Sequence, residues 1–417
     1  MAVPRDALGP AISHQLSAIN TMPIYHTLGT VPKKRHTVFR RPDGGLYAEE
    51  LMGHEGFTGT SSLLYHHSPP TTVKSARRIK PVVWEADTDT SLRHRHFRTA
   101  TLAGGSPTLD RTPLLFNSDV AMLYVAPDRQ DTHAYRNSQA DEVIYVVEGQ
   151  GVLESVFGAL PFKSGDYVVI HRNITHRWVL DQAAGPVKFV VFESRGHVRW
   201  PKRYRNEFGQ LLEGAPYSER DIRRPTELIT RVTTGDFPVL VKQYDAINEL
   251  ILDHDPFDVV GWDGYFYPWA FSIHDFEPIV GRIHQPPPVH QTFQGDGFVI
   301  CSFCPRPYDF DPNAIPAPYN HSNVDSDEVL FYASSEFMSR KGIEYGSITH
   351  HPDGLPHGPH PGRTEASIGA KFTNELAVMM DSFRPLQVAK VAEAIEDPGY
   401  HQSWLDAQHA AFSPPTS

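Results

Sequence analysis

Three residues of this 417-residue chain, His321, Glu328 and His357, offer two imidazoles and one carboxylate within a short stretch of sequence. That donor set suits a divalent first-row metal, and two histidines with one carboxylate form the facial triad of non-haem iron(II) oxygenases. Three protein ligands on one face leave neighbouring positions open, so a chelating substrate and oxygen can meet side by side. Zinc lacks the redox chemistry for such a reaction. The carboxylate is not unique, because Asp327 adjoins Glu328. On a strand the two point to opposite faces, so at most one of them can serve. His350, His351 and His360 cluster around His357. Upstream, His284 and His290 bracket Gln285-Pro286-Pro287-Pro288-Val289, where proline stiffens the loop. A held histidine there could accept a phenolic proton.

The elements that position these residues are repeated. Ala140-Asp141-Glu142-Val143-Ile144-Tyr145 resembles Ser326-Asp327-Glu328-Val329-Leu330-Phe331. Each is followed by a glycine-led segment, Gly165 to His176 and Gly346 to His357, and both span 11 residues from glycine to histidine. A strand carrying Glu, a hairpin, and a strand running to His is the cupin pattern, a double-sheet jelly roll with ligands facing the barrel interior. Two copies predict a bicupin. The first copy has Tyr135 where the second has His321, seven residues before the glutamate, so the N-terminal half is expected to be metal-free; His133, two residues from Tyr135, is its one potential replacement.

Short β-rich runs predict strands at Val120–Val125, Val143–Val147, Tyr167–Ile170, Phe189–Phe192, Phe298–Phe303, Val329–Tyr332 and Leu376–Met380. One helix is expected near the C-terminus, where Pro385 precedes Val388, Val391, Ala392 and Ile395 at helical spacing. The expected organisation is mainly β. It comprises an irregular segment 1–40, an N-terminal cupin-like domain 41–235 and a C-terminal cupin-like domain 236–417 carrying the metal site.

Composition bounds the function. The net charge of -11 argues against a nucleic-acid binder, and the basic stretch from Arg195 to Arg224 reads as an internal or subunit surface. The two cysteines, Cys301 and Cys304, would point to opposite faces of a strand and read as core thiols of a reducing cytoplasm. No apolar run suggests a signal peptide or a membrane span.

Several passages resemble the homogentisate 1,2-dioxygenase family. They are Phe257-Asp258-Val259-Val260-Gly261-Trp262-Asp263-Gly264 with Tyr267-Pro268, Asn320-His321-Ser322-Asn323, Ser326-Asp327-Glu328 and Leu355-Pro356-His357-Gly358-Pro359. Gly53 to Phe57 and Ser61-Ser62-Leu63-Leu64-Tyr65 add to them, and the likeness covers roughly residues 15–410. The resemblance implies a bicupin fold, Fe(II), and iron ligands His321, Glu328 and His357. It implies His284 as acid–base histidine and Asn323 and His351 around the substrate; His290, on the same stiffened loop as His284, is also expected to contact the substrate. It also implies a homo-oligomer, a trimer or dimer of trimers. The reaction implied is oxygen-dependent opening of the homogentisate ring to maleylacetoacetate, within tyrosine and phenylalanine breakdown. Two departures stand out. His321 and Glu328 are one residue further apart than in family members, and Phe337 takes the place of a substrate-contacting tyrosine. The second points toward a related dihydroxyaromatic of gentisate or hydroquinone type as an alternative substrate; a bicupin that binds metal without catalysis is the alternative of another class.

Overall fold

The computed structural model describes residues 24–102, 104–281, 287–334 and 337–405. Every run expected to be a strand is one, because each alternates or concentrates β-branched and aromatic residues between turn formers. Four strands of the N-terminal half are neighbours in the order Asp166–Ile170, Asp141–Glu148, Lys188–Ser194, Val120–Val125. Four of the C-terminal half repeat that order as Ser347–His351, Asp327–Tyr332, Ala377–Ser382, Phe298–Phe303. The repeat seen in sequence is therefore a repeat of topology, and the molecule is a bicupin.

The two four-strand sets meet along one apolar interface. Tyr145 lies against Phe331, with ring centroids 6.1 Å apart, and the buried Tyr167 hydroxyl bonds Ser302 Oγ at 2.8 Å. Facing the N-terminal set is a second seven-stranded sheet that includes Gln150–Ser155, His176–Leu180 and Ala134–Asn137. The C-terminal half has a six-stranded sheet.

Residue 235 does not separate the sheets. Thr234–Gln243 and Ala246–His254 complete the N-terminal seven-stranded sheet, and Trp269–Ser272 edges its partner. In exchange, Arg95–Arg98 joins the C-terminal sheet through Ser347–His351, and Gln387–Val388 joins an N-terminal one. The charge and proline of 195–235 break the strand pattern without ending the domain. Its cations are engaged locally, as in Arg199–Asp296 at 2.7 Å and Arg223–Asp166 at 2.5 Å.

The helix expected near the C-terminus is instead a strand and a 3₁₀ turn. Val388 pairs with Leu115, and Lys390–Ile395 is 3₁₀ with Val391 on the surface. Tertiary strand pairing takes the residues whose spacing suggests a helix. Cys301 and Cys304 are both buried, in separate apolar clusters, as their opposed faces require. No helix among the described residues is long and apolar enough to cross a membrane.

A buried histidine fastens a separate four-stranded sheet, ordered His26–Gly29, Val259–Gly264, Thr58–His66, Ala48–Glu55. His66 Nδ1 lies 2.7 Å from Asp258 and Nε2 lies 3.1 Å from Glu50. Burial pushes its pKa down, but the two carboxylates outweigh burial and raise it to about 9. A raised histidine pKa stabilises the fold fully below the ordinary value near 6.5, and that stability is lost as pH climbs through 9. The thermal midpoint is therefore expected to fall between pH 6.5 and 9 by more in the native chain than in His66→Gln, as followed by circular dichroism.

Candidate metal centre

His321 and His357 lie 36 positions apart and are locked together by a two-bond backbone bridge. The His321 N–H donates to the His357 carbonyl at 2.8 Å, and the His357 N–H donates back at 2.9 Å. Their rings sit with centroids 4.2 Å apart. Glu328 reaches the same point from the strand Asp327–Tyr332. Its Oε2 lies 3.7 Å from His321 Nε2 and 3.5 Å from His357 Nε2.

Those separations are informative. An N–H···O bond spans about 2.7–3.2 Å, whereas two donors bound at about 2.0–2.2 Å to one ion stand about 3–4 Å apart. His357 Nε2 is buried and has no hydrogen-bond partner, although it points to the common centre. All three donor atoms lie within 4.8 Å of one another. Two neutral imidazoles and a carboxylate fit a divalent transition metal.

The geometry decides between the neighbouring carboxylates. Asp327 faces away and accepts bonds from Leu386 N at 2.7 Å, Asp353 N at 2.9 Å and His350 Nε2 at 3.0 Å, so it braces loops. Glu328 faces inward. Burial pushes its carboxyl upward, but the neighbouring imidazoles of His321, His351 and His357 hold it well below its ordinary value.

A cavity of about 420 Å³ opens beside these groups. Its apolar walls include Phe303, Leu330, Phe337 and Met379; its polar lining includes His321, Asn323, Glu328, Arg340 and Asp381. Asn323, expected near the substrate, is among the residues that line this cavity. His351 does not line the cavity. Its Nδ1 contacts Glu328 Oε1 at 2.8 Å, which orients the carboxylate, and Tyr400 Oη lies 3.4 Å from its other nitrogen. His290 is fully buried with its ring against Phe303, centroids 4.5 Å apart, behind the cavity wall. His284 lies outside the described residues.

Sequence reasoning overlooked three groups here. His94 approaches His351 and His357 edge-on, at 5.3 and 6.1 Å between centroids, and burial holds its pKa down near 4. Buried Arg340 brings Nη2 to 3.9 Å from Glu328. Asp381 sits directly opposite Glu328 in the strand register, and burial next to Glu328 lifts its carboxyl to about 8. The signal for Asp381 was present: an acid followed by serine ends the hydrophobic run in both repeats, Glu193-Ser194 and Asp381-Ser382.

The N-terminal barrel has the equivalent positions, but its carboxylates are paired with protein cations. Tyr135 pairs with His176 as His321 pairs with His357, so tyrosine occupies the missing histidine's place. His133 lies near Asp131 and Thr108 instead. The guanidinium of Arg111 lies against Glu142 at 2.8 Å and Glu193 at 3.6 Å, and Lys242 pairs with Glu193. Protein cations thus neutralise the two buried carboxylates. A further group, Asp141 with His171 and His197, is spaced at 2.9 Å, a hydrogen-bonding length, and Asp141 also accepts two backbone amides. It parallels Asp327 as a brace.

The site is a cupin-barrel centre of two histidines and one carboxylate, of which His321 and Glu328 line the adjoining cavity. The family model for the homogentisate 1,2-dioxygenase N-terminal region matches residues 25–273. A Saccharolobus solfataricus protein, whose name makes it a dioxygenase provisionally and gives no substrate, is 41% identical over 392 residues, 92% of this chain and 99% of that one. The homogentisate 1,2-dioxygenase of Oryza sativa subsp. japonica is 25% identical over 424 residues, 90% of this chain and 87% of that one. Among solved structures, a cupin 2 conserved barrel domain protein from Leptotrichia buccalis is 10% identical, with a TM-score of 0.31 over 68% of this chain and 92% of its own. The chain belongs to the homogentisate 1,2-dioxygenase family.

Removing one partner of a buried ion pair costs about 3–5 kcal/mol, because the other charge is stranded. Arg111→Met is expected to destabilise the chain by that amount in urea unfolding, and adding Glu142→Gln to recover a substantial part.

Proposed function

We propose that the chain is a non-haem iron(II) dioxygenase that opens the ring of homogentisate with oxygen to give maleylacetoacetate. The observation that carries this reading is the convergence of His321, Glu328 and His357 at one edge of an apolar-walled cavity. Iron(II) held there would let electron density pass from the ring to oxygen, so that ground-state oxygen can react with a closed-shell molecule. The remaining work falls to the protein. His351 fixes the Glu328 carboxylate, and the backbone bridge fixes the two histidines, so the donor set is organised before substrate arrives. Phe303, Leu330, Phe337 and Met379 present a surface suited to an aromatic ring and exclude water. Asn323 offers a hydrogen bond at the cavity wall. On the strength of the family resemblance, His284 accepts the proton of the substrate's hydroxyl, and His351 supports the substrate pocket from behind. His290, against Phe303, supports it from behind as well.

The side chain of Phe337 favours one second reading. It lines the cavity and carries no hydroxyl, so a related dihydroxyaromatic, of gentisate or hydroquinone type, is the rival substrate. The same family reading carries a homo-oligomer, a trimer or dimer of trimers, working in the cytoplasm on tyrosine and phenylalanine breakdown.

Oxygen uptake by the Fe(II)-loaded chain separates these readings. With homogentisate, gentisate and hydroquinone compared in an oxygen electrode, homogentisate is expected to give the highest kcat/KM. Fastest uptake with another of the three transfers the assignment to that substrate. Bound iron with no uptake on any of them means a binding protein. Glu328→Ala is expected to lose both iron and at least about 10³-fold of the activity, since it removes a ligand outright.

A further inference from the structure

We infer that Asp381 is a substrate-binding residue that takes a hydrogen bond from a ring hydroxyl which does not reach the metal. This rests on the reading of the cavity as the pocket of a hydroxylated aromatic. Directly opposite residues of an antiparallel pair project from the same face of the sheet. Asp381 is opposite Glu328, so both side chains enter the cavity, and both line it. Oδ1 of Asp381 is buried and has no hydrogen-bond partner.

The N-terminal barrel shows what this position does when no ligand is served. There Glu193 is opposite Glu142, the same pairing one repeat earlier. Glu193 is spoken for, since Lys242 and Arg111 both contact it. Among the described residues no lysine or arginine makes an ion pair with Asp381. Glu328 has the histidines of the centre; Asp381 has a cavity. A buried acceptor without a partner costs about 1–3 kcal/mol, a cost relieved when a donor arrives. The surrounding walls are aromatic and aliphatic, so the donor comes on a flat apolar body, and a ring hydroxyl meets both conditions. The position offers a polar partner to a ring hydroxyl on an otherwise apolar wall. It thereby selects for a ring that turns a hydroxyl toward this side of the pocket.

The test uses the full chain loaded with Zn(II), which binds substrate without turnover, and isothermal titration with two probes: homogentisate and 2-hydroxyphenylacetate, which lacks one hydroxyl. The native chain is expected to bind homogentisate about 10- to 100-fold more tightly, the value of pairing a buried acceptor that is otherwise unsatisfied. Asp381→Ala is expected to bind the two probes equally, and Asp381→Asn, which keeps an acceptor oxygen, to retain part of the preference. Metal content is expected to stay unchanged in both variants. Undiminished discrimination by Asp381→Ala overturns the inference while leaving the substrate reading intact. Loss of metal from both variants also overturns it, by making Asp381 a ligand or a prop of the centre. A native chain that binds neither probe overturns the substrate reading itself.

Discussion

Two carboxylates buried side by side on the central strands of a barrel cannot both stay charged without a cation nearby. This chain faces that constraint twice, at Glu142 with Glu193 and at Glu328 with Asp381. Buried like charges raise one another's pKa or recruit a counter-charge. The first barrel meets the requirement from within, through Arg111 and Lys242. The second has Arg340 at 3.9 Å from Glu328, but among the described residues no lysine or arginine pairs with Asp381. Its Glu328 is ringed by histidines at spacings suited to a shared ion, and Asp381 is left facing a cavity. One barrel is thereby made a closed structural unit and the other an open chemical one, with nearly the same strand framework.

The open barrel depends on the closed one. The strand Arg95–Arg98 crosses from the N-terminal half to edge the C-terminal sheet beside Ser347–His351, the strand that delivers His351 to Glu328. Gln387–Val388 crosses the other way. The apolar contact of Tyr145, Tyr167, Phe331 and Ser302 holds the two repeats together behind the site. A rigid partner of this kind suits a centre whose ligands must be placed before the metal and substrate arrive.

Much of this was legible in the sequence, for reasons that differ from residue to residue. The strands could be read because β-branched and aromatic runs end at glycine, proline and aspartate. The shared glycine-to-histidine spacing revealed two barrels, the change from His321 to Tyr135 distinguished them, and the structure places those two residues in equivalent positions. Other features depend on partners far away in sequence. The choice of Glu328 over Asp327 needs the strand's facing, which the backbone amides of Leu386 and Asp353 settle by claiming Asp327. Arg111 precedes Glu142 by 31 positions, outside the repeat, so its place as the internal cation is invisible until the barrel closes. The segment after Pro385 has helical spacing, yet strand pairing with Leu115 takes it first.

The central claim is that one ion belongs in the second barrel and none in the first. Anomalous diffraction at the iron edge from crystals of the Fe(II)-loaded chain tests it most directly. The account requires one peak, enclosed by the side chains of His321, Glu328 and His357. A peak beside Glu142, or no peak at the second centre while iron is bound elsewhere, contradicts it.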